Sequence, residues 1–273
     1  MKYGNELEAL QKLELGILQK IDVFCRENNI EYFIIGGTCL GAVRHGGFIP
    51  WDDDIDIGMT RENYLRFLAL ADKLEYPLFL QSPKTEKKTP YLYTKIRYTG
   101  TKFVEYCNRK IKMNQGIYID VFPFDNIPDD DVEYSKSFSK IQKLLYLNAL
   151  RTSPDVNQKP NTLNKYIKAV LWKILHLTVK IIPKKYISNK IETEMTKYNN
   201  IETKAISCWF FPGKYKEYGT RETIFPLKEC DFAGVTVLCP NDTDTYLKNH
   251  YGNYSELPPV EQRIGHKPYV FKI

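Results

Sequence analysis

The residues best suited to chemistry stand close together: Gly36-Gly37-Thr38, then Asp52-Asp53-Asp54-Ile55-Asp56-Ile57. Acid and aliphatic residues alternate toward Ile57, which predicts a strand of period two over Asp52–Ile57. On such a strand Asp52, Asp54 and Asp56 share one face while Ile55 and Ile57 enter the core. Carboxylates crowded on one face repel one another unless a cation lies between them. Oxygen-rich acidic sites suit Mg²⁺ or Mn²⁺, and Mg²⁺ commonly shares its shell with substrate phosphates. The glycines allow close backbone approach, and a helix start after them offers free N–H groups to an anion. The combination predicts a seat for a metal-bound diphosphate.

A third carboxylate is expected beside this group. Asp120 lies on the apolar run Gly116–Phe122, and Asp125 stands just past its end. An aspartate on such a strand is costly to bury unless paired or metal-bound. A two-metal site activates the attacking oxygen and neutralises the leaving one. Other readings of the acids fail on spacing. An EF-hand would need glycine where Ile57 stands and glutamate where Asn63 stands. No G-x-x-x-x-G-K-[ST] run exists, which excludes a P-loop.

The elements that must hold these residues follow from periodicity. Residues 5–28 read as an amphipathic helix with Leu7, Leu10, Glu14, Ile17, Ile21 and Phe24 at 3/4 spacing, Glu14 being the polar interruption. Ile30–Ile35 is a short strand ending at the glycines. Thr38–Arg44 is a short helix capped by Thr38, and residues 45–50 are a loop. Thr60–Leu74 is a second helix. Leu92–Tyr98 and Thr101–Tyr106 are expected as a hairpin around Thr99-Gly100, and the Gly116–Phe122 strand is closed by Pro123. Asp129–Arg151 is helical, with acids in its first turn to suit the dipole. A polar linker over 151–160 leads to helices at Thr162–Ile182 and Lys184–Asn199. Short strands at Ile206–Phe211 and Asp231–Leu238, a helix near Thr243–His250 and an irregular tail complete the chain. The expected class is α+β (mixed α/β), a small mixed β-sheet with packed helices. Three parts are expected: a core at 1–128, a helical segment at 129–203 and a C-terminal lobe at 204–273 that completes the substrate site.

Composition bounds the function. The chain has 273 residues, 43% of them apolar and 26% charged, which excludes disorder and low complexity and gives enough length for a core without disulfides. A net charge of +6 is too mild for a dedicated nucleic-acid binder but suits an anionic substrate or membrane surface. Six cysteines with no C-x-x-C spacing read as reduced thiols. The N-terminus lacks the apolar segment of a signal peptide, and no run approaches the ~18 apolar residues of a membrane span. The expected location is the cytoplasm, at most at the inner face of the membrane.

The stretch from Gly36 to Ile57, GGTCLGAVRHGGFIPWDDDIDI, resembles the LicD family of phosphotransferases, related to fukutin. Lys95-Ile-Arg97 with Thr101, Tyr118–Asp125, and Tyr251–Pro259 with Arg263 and His266 resemble the family's later blocks. Residues 5–125 and 205–268 carry the likeness. It implies a nucleotidyltransferase-like core that moves a substituted phosphate from a nucleotide-activated donor, such as CDP-choline, onto a glycan hydroxyl. The acceptor would be a precursor of teichoic acid, capsule or lipopolysaccharide. It also implies metal ligation by Asp54 and Asp56, with Asp52 close by and Asp120 as third acid, on Mg²⁺ or Mn²⁺. Asp120 would bind a second ion or take the acceptor's proton. Lys95 and Arg97, on one strand face, would hold the diphosphate. Gly36, Gly37, Thr38, Arg44, His45, Arg263 and His266 would complete donor binding. A choline headgroup calls for an aromatic cage, with Trp51, Trp209, Tyr251 and Tyr254 as candidates. Two other enzyme readings stay open: a DxD glycosyltransferase using a sugar nucleotide, and a nucleotidyltransferase releasing pyrophosphate.

The 162–182 helix is basic and amphipathic. Leu163, Tyr166, Ile167, Val170, Leu171, Ile174, Thr178, Ile181 and Ile182 line one face, with Lys165, Lys168, Lys173 and Lys180 outside it. The ordinary expectation is that this stripe packs on the domain and the lysines face water. The alternative is peripheral docking on an anionic membrane, where a lipid-linked acceptor would be found.

Overall fold

The computed structural model describes residues 5–213, 217–266 and 268–273. The expected class is observed: a mixed sheet with helices packed on it. The sheet runs β1 (Phe33–Ile34), β2 (Asp56–Thr60), β6 (Ile117–Asn126), β4 (Thr94–Tyr98), β3 (Leu78–Gln81). β2 and β6 are parallel; the other neighbours are antiparallel. The far end of β6 pairs with β7 (Ala205–Ser207), which pairs with β8 (Tyr218–Thr220). β5 (Lys102–Val104) pairs with the C-terminal strand β11 (Val270–Lys272).

α1 (Asn5–Glu27) packs its buried stripe, Leu7, Leu10, Ile17, Leu18 and Ile21, onto the sheet at β6. Around it a main apolar core gathers Phe33, Ile57, Phe67, Ile96, Ile119 and Val121. Two helices, α4 (Asp131–Thr152) and α6 (Lys184–Met195), pack together over a second cluster that includes Ile141, Ile187, Ile191 and Trp209. On the other flank, the hairpin of β9 (Lys228–Phe232) and β10 (Val235–Cys239) lies against β1 and α2 (Gly36–His45). α8 (Thr243–Tyr251) also packs on α2, after the short α7 (Arg221–Ile224).

Several local expectations are revised. The acidic stretch is not a strand from Asp52; β2 begins at Asp56, and residues 52–55 are an irregular loop. α2 starts two residues early, at Gly36, so Thr38 is no cap. Its hydroxyl instead accepts the backbone N–H of Asp56 at 2.8 Å. The Thr60–Leu74 helix is shorter: α3 (Arg61–Ala69) is capped by Thr60 and followed by a single 3-10 turn. β4 and β5 form no hairpin, because both edges of β4 are already taken by β3 and β6. Pro123 does not close β6. Asp120 donates its N–H to Ile55, the residue just before β2, so by alternation the imide of Pro123 faces the β4 side, where the ladder has ended at Thr94–Val121.

The expected packing of the basic helix is overturned. α5 (Leu163–Val179) meets α4 through its Ala169–Trp172–His176–Val179 face, and the apolar stripe read from the sequence is exposed from Leu163 to Ile181, with only Ile182 packed on the second cluster. Trp172 Nε1 donates to the Ser153 carbonyl at 2.9 Å, and His176 Nδ1 lies 2.7 Å from the Leu150 carbonyl. Those two polar anchors choose the packing face. Among the described residues no helix is long and apolar enough to cross a membrane.

Candidate active site

The parallel pairing of β2 with β6 brings two acids from distant parts of the chain into register. Asp56 is the ladder partner of Asp120, and Lys95 on β4 is its partner from the other side. Lys95 Nζ donates to both Asp120 carboxylate oxygens, at 2.6 and 2.8 Å, in a nearly water-free setting. The ammonium also faces the Tyr118 ring at 3.5 Å, with Tyr91 at 4.6 Å and Tyr93 at 5.2 Å. Burial raises Asp120 to about 6, against the lowering effect of Lys95.

The loop before β2 adds the remaining acids. Asp52 is pushed up to about 8 by burial and by Asp54 and Asp53. Burial also raises Asp54, and it raises Asp56 well above the usual carboxylate range with help from Asp54 and Asp120. These shifts share one cause: several carboxylates have been taken out of water beside one another.

Two acids escaped sequence reasoning. Glu14, read as a mere interruption of the α1 stripe, is 2% exposed and lies below the cluster. Its pKa is raised well above normal by burial and by Asp54, Asp53, Asp52 and Asp120, and its Oε2 has no hydrogen-bond partner. A polar residue at a core position of an amphipathic helix was the available signal. Glu217 is the second. It accepts the Tyr246 hydroxyl at 2.6 Å, and that hydroxyl in turn accepts the Gly36 N–H at 3.2 Å. Nothing local in the sequence marks it.

Asp53, left without a role by alternation, anchors the C-terminal tail. Its Oδ1 accepts both the His266 backbone N–H at 2.9 Å and His266 Nδ1 at 3.0 Å. Asp54 Oδ2 lies 3.5 Å from the same nitrogen. The Asp53 hydrogen bond, with Asp54 adding to it, raises His266 to about 9. Asp53, Asp54 and His266 are the group, among the described residues, whose ligand atoms lie within 4.8 Å of one another. The expected set of Asp52, Asp54, Asp56 and Asp120 is adjacent but does not converge that closely.

Both glycines stand where a side chain would collide with an acid. Gly36 adopts φ +52°, and a Cβ there would come within 3.3 Å of Glu217 Oε1. A Cβ on Gly37 would stand 2.7 Å from Asp52 Oδ2, closer than real Cβ contacts come. Arg44 and His45 sit at the far end of α2, on the order of 12 Å from the glycines at ~1.5 Å per residue. With Arg263 they gather around Trp51: the Arg263 guanidinium is 5.2 Å from that ring and the His45 ring 6.4 Å from it. Arg44 also donates to the Tyr254 carbonyl at 2.8 Å.

Two expectations need correction. Arg97 is fully buried, donating to Gln81 Oε1 at 2.9 Å and to the Gly116 carbonyl at 2.8 Å. It braces Tyr118 from beneath rather than reaching a diphosphate. Lys95 is held by Asp120 and is a charge partner of the acids instead of an open phosphate ligand. Of the aromatic candidates, Trp209 is core, stacked on Tyr134, and the Tyr254 hydroxyl donates to Asp244. Trp51 and Tyr251 border the acidic loop and the Gly36 turn. Asp125, the other candidate third acid, is committed elsewhere: Arg61 grips both its oxygens at 2.8 and 2.6 Å, and Asn199 donates to it.

The donor set fits a hard divalent cation. It offers carboxylate oxygens, it carries more negative charge than Lys95 and His266 offset, and it holds two buried oxygens with no hydrogen-bond partner, Glu14 Oε2 and Asp53 Oδ2. Cysteine thiols take no part; burial raises the Cys39 and Cys208 thiols and keeps them neutral.

Comparison with known proteins agrees with this geometry. Residues 29–143 match the family described as LicD/FKTN/FKRP, nucleotidyltransferase domain. The chain is 26% identical over 262 residues to the Haemophilus influenzae lipopolysaccharide cholinephosphotransferase LicD, covering 95% of each chain. It is 50% identical over 34 residues to the human ribitol 5-phosphate transferase FKRP, covering 12% of this chain and 7% of that one. It is 21% identical over 284 residues to mannosyltransferase regulator 4 of Saccharomyces cerevisiae, covering 90% of this chain and 23% of that one. The matched region holds the acidic loop, β2, β4 and β6, so the elements that build the site are those that carry the likeness to the LicD/FKTN/FKRP nucleotidyltransferase domain.

Proposed function

We propose that the chain transfers a phospho-substituent, phosphocholine first among the candidates, from a CDP-activated donor to a hydroxyl of a cell-surface glycan precursor. The observation that carries this reading is the Asp56–Asp120–Lys95 row beside the acidic loop, inside a domain whose near-full-length relative is a cholinephosphotransferase. Phosphoryl transfer depends on positioning and charge neutralisation more than on covalent help.

Asp54 and Asp56, with Asp52 close by, would hold Mg²⁺ or Mn²⁺, which when bound neutralises diphosphate charge. The protein's own groups do the rest. The side-chain-free Gly36–Gly37 turn leaves room for phosphate against the start of α2. Arg44 and Arg263 supply cationic contacts around Trp51, and His45 beside them accepts the Arg44 Nε–H as a neutral imidazole. Asp120 orients the acceptor hydroxyl and takes its proton, for which a pKa of about 6 is well placed. Lys95 keeps that carboxylate ionised and aimed. Trp51 and Tyr251 offer aromatic faces to a donor headgroup, since Tyr91, Tyr93 and Tyr118 already surround Lys95.

The test is a donor panel of CDP-choline, CDP-glycerol, CDP-ribitol and sugar nucleotides with Mg²⁺, read by the nucleotide released. Release of CMP supports the proposal. A nucleoside diphosphate would mark a glycosyltransferase and pyrophosphate a nucleotidyltransferase; either would overturn it.

A further inference from the structure

The exposed side of α5 has a physical signature of its own. At ~100° per residue, Leu163, Ile167, Val170, Ile174, Leu177 and Ile181 fall within about 80° of arc, centred opposite Trp172. Trp172 is on the packing face, so the arc points directly away from the protein. Leu163 is 76% exposed and Ile181, just past the helix, 86%. An apolar face this size on a helix end over end in solvent is unusual for a protein that stays in water. Lys173 and Lys180 lie along one shoulder of the arc, while Lys165 and Lys168 project from the side opposite it, all exposed.

Charge is distributed to match. From Val156 to Ile191 there are eight lysines and no aspartate or glutamate. Removing those eight leaves 31 basic residues against 33 acidic ones, so the whole positive excess of the chain resides in this segment. We infer that α5 is a docking helix that lies in the plane of an anionic lipid bilayer, apolar arc in the acyl boundary and lysines at the headgroups. The helix has 17 residues and carries lysines at three positions along it, which suits lying in the interface and not spanning it. A second copy of the chain is a poor occupant, since pairing two such faces would oppose lysine to lysine.

The placement of α5 gives the docking a use. A cavity of about 580 Å³ is lined by His266, whose ring meets Asp53 and Asp54, and by Tyr91 and Glu105. Thr152, Ser153 and Asn157, at the end of α4 and on the segment that leads into α5, also line it. Ser153 is also the residue whose carbonyl holds Trp172. A hydroxyl carried on a lipid-linked acceptor would thus enter from the side that faces the bilayer. Only this last statement rests on the proposed transfer; the docking itself does not.

The experiment is flotation of the purified full chain with vesicles of phosphatidylcholine containing about 30% phosphatidylglycerol, and with phosphatidylcholine alone. The chain should float with the anionic vesicles and not the neutral ones, and binding should fall at least tenfold between about 0.1 M and about 0.5 M salt. Two variants change only exposed positions: Val170→Glu with Ile174→Glu, and Lys165, Lys168, Lys173 and Lys180 each→Gln. Circular dichroism and thermal denaturation verify their fold. Each should lose at least tenfold in vesicle binding. Absence of flotation, equal flotation with neutral vesicles, or undiminished binding by either folded variant would overturn the inference. So would a dimer in light scattering that Val170→Glu with Ile174→Glu disperses without any vesicle binding. CMP release from soluble substrates is read separately, so a failed docking result leaves the transfer chemistry standing, and the reverse.

Discussion

Asp56 and Asp120 stand side by side as register partners on parallel strands, with Lys95 completing the row from the strand beyond. A fixed ladder spaces these groups without help from loop or tail. The arrangement is electrostatically uneven: Asp120 has an ammonium against it, whereas Asp56 faces mainly other carboxylates. That difference separates a group held ready for protons from groups that call for a cation.

The first prediction contrasts two aspartates, one half-buried and one fully buried. Asp56→Asn should cut turnover about 10³-fold, as expected for loss of a ligand to a charge-neutralising ion. In chelator it should raise the melting temperature, because it relieves repulsion. Asp125→Asn should do the opposite, costing about 3 kcal/mol of stability because Arg61 loses its paired charge, while the folded fraction still turns over. Activity per folded molecule, with denaturant melts on both proteins, reads the contrast.

The second concerns pH. Asp52 at about 8 and Asp120 at about 6 bind protons more tightly in the folded chain than in the unfolded one, where aspartate titrates near ~3.9. The stability they contribute is present at low pH and declines as pH rises toward their folded values. His266, raised to about 9, acts in the same direction: its contribution is full below ~6.5 and lost as pH rises through about 9. The metal-free protein should therefore melt lower at pH 8 than at pH 6, by about 5 °C. Added Mg²⁺ should raise the melting temperature more at pH 8 than at pH 6. A metal-insensitive melt at both pH values would count against the site.

The third tests the turn. Gly37→Ala forces a Cβ to within 2.7 Å of Asp52 Oδ2, so the carboxylate must move. The expected result is a rise in the Mg²⁺ concentration needed for half-maximal activity of about tenfold, with circular dichroism unchanged.

The fourth isolates the buried ion pair. Lys95→Met leaves Asp120 without its charge partner and should cost about 3 kcal/mol. Adding Asp120→Leu should recover most of that stability, since an apolar pair replaces an ionic one, but no turnover should return. A double-mutant cycle by urea denaturation measures the coupling.

The legible part of the site was its oxygen chemistry. Asp52, Asp54 and Asp56 beside Gly36-Gly37 declared themselves by type and spacing, and Asp120 by being a charge on an apolar strand. Lys95 was visible as a basic residue, but its engagement with Asp120 was not. Arg97 looked equivalent to Lys95 by alternation, yet Gln81 and the Gly116 carbonyl take its donors. Likewise the stripe of α5 was plain, while its direction was set by Trp172 and His176 finding carbonyls on a neighbouring segment.

The sequence by itself determined the α+β class, most helices and the identity of the acidic cluster, because periodicity and residue type act over a few positions at a time. Tertiary structure alone decided that β2 runs parallel to β6, that β4 pairs with β3 and β6 and not with β5, and that Glu14, Glu217 and His266 arrive at the same place from three distant segments. Those outcomes depend on which strand edges and polar groups find partners first among residues far apart in the chain, and no local pattern encodes that competition.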